Sequence, residues 1–162
     1  MIPRVYPKFQ SKMKASSIAQ IKKELQFIEK EELIEIVLRL GKYKVENKEL
    51  LSYLLFDSHD EEGYIVKIKE YIDFQFEVIN RENYYYIKKS IRKILRTTKR
   101  FIKYSKNIET EATLLIHFCR NLEEMEPSYK YNQVLTNMYE RQLNLVEKNL
   151  NKMHEDLRYD YQ

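Results

Sequence analysis

Tyr84 to Lys106, YYYIKKSIRKILRTTKRFIKYSK, constrains the fold more than any other stretch of this chain. At helical spacing Tyr84, Ile87, Ile91, Ile94, Thr98 and Phe101 recur every three or four residues, with Leu95 and Ile102 alongside. That pattern predicts one long helix with an apolar stripe on one side. The other side carries nine cations, Lys88, Lys89, Arg92, Lys93, Arg96, Lys99, Arg100, Lys103 and Lys106, and no acidic residue falls between Asn83 and Ile108. The formal net charge of the whole chain is +4, so with nine positive charges on this helix the remainder carries −5. A stripe of this length needs cover, and the rest of the chain has to supply it.

The cover is itself helical. Two Gly and three Pro in 162 residues are too few for the turns of a β-sandwich or the phosphate loops of a nucleotide-binding α/β fold. With 33% charged and 43% hydrophobic residues, the chain reads as helices joined by short connections. After a basic arm, residues 1–15 with Arg4, Lys8, Lys12 and Lys14, the periodicity predicts helices in successive antiparallel pairs. These are Ser17–Glu29 with Glu31–Leu40, Asn47–Phe56 with Glu61–Ile79, and Asn83–Lys106 with Thr110–Met125. A last helix follows Pro127, from Ser128 to Tyr159, with Tyr131 and Leu157 in its apolar stripe and a frayed end at 160–162.

Local signals set the ends. Ser17 and Gln20 have the spacing of a capping box, Asn47 and Asp60 suit N-caps, and Gly41 suits a C-terminus. Leu50, Leu51, Leu54 and Leu55 make the third helix apolar on two faces, which predicts a central place for it. The expectation is one all-α domain over residues 16–159, of six or seven helices, either an irregular α-solenoid-like stack or a compact helical bundle.

The run Lys22 to Leu55, KKELQFIEKEELIEIVLRLGKYKVENKELLSYLL, resembles the opening of small uncharacterised helical bacterial proteins. They share a KEL…KEEL…L…NKELL rhythm. The resemblance implies an all-helical fold and no particular activity.

Most catalytic templates fail. Gly at 41 and 63 alone leaves no room for a dinucleotide fingerprint or a phosphate-binding P-loop, and H-E-x-x-H and G-x-S-x-G are absent. None of His59, His117 and His154 follows a Glu at three residues' distance, so the E-x-x-H motif of di-iron bundles is missing too. One cysteine, Cys119, admits neither an internal disulfide nor a multi-cysteine metal site. The longest uncharged apolar run, Ala112 to Cys119, is eight residues, and the first fifteen lack the apolar core of a signal peptide. A cytoplasmic protein without a membrane span is the expectation.

Three constellations carry some chemistry. His59 lies among Asp57, Asp60, Glu61 and Glu62, a set that offers ligands to a divalent cation or, more simply, caps to the next helix. His117 and Cys119 point about 200° apart on one helix and cannot form a catalytic pair; His117 calls for a polar neighbour, and Cys119 reads as a small buried hydrophobe.

The third constellation is the basic face itself. Lys88, Lys89, Arg92, Lys93, Arg96, Lys99, Arg100 and Lys103 suit an acidic protein partner, a nucleic-acid backbone or an anionic membrane surface. Neutralisation from within is the alternative, by Glu70, Asp73 and Glu77 before the helix or Glu123, Glu124 and Glu126 after it. The expected function is a non-enzymatic binding or scaffold protein, needing neither cofactor nor metal, with this face as its contact surface. A nucleic-acid-associated protein that grips phosphate without reading sequence is the other reading.

Overall fold

Short polar side chains open most of the helices by accepting the backbone N–H groups that have no partner within the helix. In the computed structural model, which describes residues 14–153, seven α-helices follow one another and no strand occurs among the described residues. They form an all-α fold. Residues 1–13 of the 1–15 arm and the C-terminal segment from His154, including Leu157, lie outside the described residues. By their contacts the chain divides into two compact units, one up to Asn47 and one from Lys48.

The N-terminal unit holds α1, Ile18–Leu25, and α2, Lys30–Tyr43. Ser17 and Gln20 form the capping box at the start of α1, each side chain bonding the other's backbone N–H. Gly41 does not end α2. The helix runs through it to Tyr43, because no glycine of the described chain takes a left-handed backbone and a helical glycine is merely a weak former. Neither helix has a buried residue. Helix α3, Val45–Ser52, crosses from the first unit into the second. Asn47 is not its cap but sits inside it, its amide donating to the Leu40 carbonyl at 2.8 Å.

The second unit contains the core. After α3 the chain widens into a π-turn over Tyr53–Asp57, closed by the Ser58 N–H on the Tyr53 carbonyl at 2.8 Å. The single helix expected to Phe56 therefore stops at Ser52. Leu54, Leu55 and Phe56 emerge exposed, so this segment is not the centre of the fold. Asp60 caps α4, Glu61–Glu77, through the Gly63 N–H at 3.0 Å, and a side chain at Gly63 would collide with that carboxylate.

Helix α5 spans Tyr84–Ser105 and α6 spans Ile108–Glu124. Only two residues separate them. Lys106 takes a left-handed conformation, φ 55°, and Asn107 caps α6 by accepting from the Glu109 N–H at 2.8 Å. Helix α6 is the true centre: it packs against α4, α5 and α7, and buries seven residues from Thr110 to Leu122.

The final helix is shorter than expected. After a cis peptide bond at Glu126–Pro127, Ser128 caps a 3-10 turn at Tyr129–Tyr131. Helix α7 then starts from the Asn132 cap and runs Gln133–Leu150. Tyr131 thus stands in the turn, exposed, and not in the stripe.

Candidate functional site

Asn83 launches α5 by accepting from the N–H groups of Tyr85 and Tyr86, at 3.0 and 3.3 Å. The helix then lays Ile87, Ile91, Ile94, Leu95, Thr98 and Ile102 into the core against α4 and α6, none more than 9% exposed. This fixes the rotation of α5 about its axis. At 100° per residue Lys89, Arg92, Lys93, Arg96, Lys99, Arg100 and Lys103 fall within an arc of about 120°, opposite the buried stripe. Tyr85, 66% exposed, stands in the middle of the same arc at its N-terminal end.

Burial differs among the eight cations singled out from the sequence. Lys89, Arg92, Lys93, Arg96 and Lys103 are exposed, whereas Lys88, Lys99 and Arg100 are partly covered. Arg100 is held in place: its guanidinium donates from Nη2 to one carboxylate oxygen of Glu49 at 3.1 Å and lies 2.9 Å from the other in an ion pair, and the Tyr104 hydroxyl donates a second hydrogen bond to Glu49 at 2.8 Å. Burial lowers the pKa of Lys99, and the nearby Glu111 carboxylate works against that shift. The five exposed cations make no side-chain hydrogen bond or ion pair among the described residues.

The acids expected to neutralise this face are occupied or placed elsewhere. Asp73 turns to α6, where its carboxylate meets His117 Nε2 at 2.5 Å and accepts from the Asn121 amide at 2.9 Å. Glu70 and Glu77 remain exposed and make no ion pair with α5. Glu123 accepts from the Tyr139 hydroxyl on α7, a bond that with burial raises the tyrosine's pKa. Among the described residues, Glu70, Asp73, Glu77 and Glu123 thus make no ion pair with the basic side of α5.

The Asp73–His117–Asn121 cluster lines an open cleft of about 540 Å³ together with Phe76, Arg81 and Arg120. Sequence reasoning assigned His117 a polar neighbour without finding it. His117 and Asn121 stand one turn apart on α6, a spacing legible in the sequence, but Asp73 arrives from 44 residues away. Cys119 is buried, and burial pushes its thiol up to about 12, far from a reactive thiolate.

Around His59 three of the four acids serve the fold, and Glu62 is exposed. Asp57 pairs with Lys67 at 2.5 Å, Asp60 caps α4, and Glu61 accepts from the hydroxyls of Tyr53 and Thr110 at 2.9 and 2.5 Å. No three His, Cys, Asp or Glu side chains converge on a possible metal position among the described residues. No described helix is long and apolar enough to cross a membrane. No protein-family model, no curated protein and no solved structure matches this chain.

Proposed function

We propose that this chain is a non-enzymatic binding or scaffold protein of the cytoplasm, and that it engages an anionic macromolecule through the exposed side of α5. One observation carries the reading: of the cations on that arc, Arg100 alone is held in an ion pair, while Lys89, Arg92, Lys93, Arg96 and Lys103 face solvent unpaired among the described residues. A row of like charges kept apart from available acids repels itself, and a bound polyanion relieves that repulsion. The lone buried cysteine fits a reducing compartment.

Retention on a heparin column tests this. The protein should elute only at raised salt, and the combined Lys89→Gln, Arg92→Gln, Lys93→Gln, Arg96→Gln variant should elute near the start of the gradient. Identical elution of the two would move the contact surface elsewhere.

A further inference from the structure

We infer that the anion engaged by this face is the phosphodiester backbone of a nucleic acid, held by charge and not by base edges. The inference rests on the reading of α5 just given, and it selects among the polyanions that reading admits.

An acidic protein surface fits less well. Stable protein–protein interfaces have an apolar centre from which charge is depleted. Beyond Tyr86, every fully exposed residue of α5 is Lys or Arg. Protein–nucleic acid interfaces have the opposite composition, more polar and strongly positive.

An anionic membrane fits less well for a different reason. An interfacial helix pushes its apolar side among the lipids. The apolar side of α5 is already spent, with Ile87 and Ile91 at 0% exposure in the core. What it presents is a row of charge, with Tyr85 and Tyr86 at its N-terminal end.

The dimensions suit a phosphate chain. From Lys89 to Lys103 the row is about 21 Å long, with a cation at nearly every turn of about 5.4 Å. A helix about 10–12 Å wide matches the ~12 Å major groove between its two phosphate walls. On the arc, Lys93 and Arg100 lie toward one flank, and Arg92 and Lys99 toward the other.

The face carries no Asn, Gln, Asp or Glu, so it lacks the side chains that pair with adenine or cytosine edges. Tyr85 adds an exposed ring on which an unpaired base can stack. The same backbone chemistry therefore has two sources, a duplex and a single strand.

Fluorescence anisotropy with the full chain separates the possibilities, using a labelled 20-base-pair duplex, a 20-base single strand, polyglutamate, and vesicles containing phosphatidylserine. Expected is binding to nucleic acid at about 50 mM salt with a log–log salt slope near −4.5 on duplex, about five phosphates' worth. Affinity should fall roughly 500-fold between 50 and 200 mM salt. The four-site Gln variant should lose this binding, and a Lys89→Gln, Arg96→Gln pair, a milder change to the fold, should flatten the slope to about −2.7.

A single-strand preference that Tyr85→Ala removes assigns the single strand, and an equal or higher duplex affinity assigns the duplex; either bears the inference out. Binding to polyglutamate or vesicles without nucleic acid overturns it and leaves the basic contact surface standing. Nucleic-acid binding that the variants keep also overturns it. No binding to any probe overturns both.

Discussion

Helices α2 and α5 look alike on paper and differ in the molecule. Each repeats apolar residues at a period near 3.6, with charge on the far side. In α5 the stripe is sealed, with Ile87, Ile91 and Thr98 at 0% exposure. In α2 the stripe of Leu33, Ile36, Val37 and Leu40 is only partly covered at Ile36 and Val37 and exposed at Leu33 and Leu40, and no residue of the helix is buried. Periodicity reports that a helix has sorted its residues by polarity. It does not report that a complementary surface exists to cover them. Helix α5 has one because α4 and α6 flank it and α6 buries seven residues between Thr110 and Leu122.

The sharpest way to break this contrast is truncation at matched positions. Ile91→Ala should cost about 3 kcal/mol, the usual penalty for emptying a sealed core site. Leu40→Ala on α2 should shift stability by no more than ~0.5 kcal/mol. Urea unfolding of the full chain measures both, and equal losses would mean that α2 is covered in solution.

Alkaline titration gives an intermediate effect. The Cys119 thiol, ordinarily at 9.0, is held protonated by burial up to about 12. In the unfolded chain it ionises first, so the unfolded state binds fewer protons between those values and stability falls as pH rises through that window. Below pH 9 the contribution is fully present. Tyr64 and Tyr139, also raised by burial, act in the same direction. Replacing Cys119 by Ala should therefore reduce, without abolishing, the loss of stability between pH 8 and pH 10.5, by about 1–2 kcal/mol. An unchanged difference in urea midpoints would show that the thiol is reachable by water.

The smallest effect is expected on the open side of α5. Lys93→Gln should leave stability within ~0.5 kcal/mol, because the side chain pairs with no acid among the described residues. A loss above ~1 kcal/mol would reveal an intramolecular partner for that charge.

What was legible in the sequence was local. The buried stripe of α5, the capping box at Ser17 and the Asp60 cap depend on residues a few positions apart, and all three stand as expected. Asn47 shows the limit of such signals. Its amide suits an N-cap, but the chain had already begun α3 at Val45, and the Leu40 carbonyl took the hydrogen bond instead. The π-turn at Tyr53 left no mark in a run of leucines, so the apolar content of 50–56 misplaced the centre of the fold. Asp73 shows the same limit at the candidate site. Its charge was visible, but its direction was decided by His117 and Asn121 across the packing of α4 on α6.

The two-residue joint at Lys106 and Asn107 has a consequence for how this chain can change length over generations. One residue more or fewer there would turn α6 by about 100° about its axis relative to α5. Leu114, Leu115 and Phe118, all at 0% exposure, would swing out of the core together. The stretches between α4 and α5, and between α6 and α7, carry several residues outside regular helix and can absorb such a change. The joint therefore acts as a phase lock: the central helices tolerate substitution there far more readily than a shift in frame.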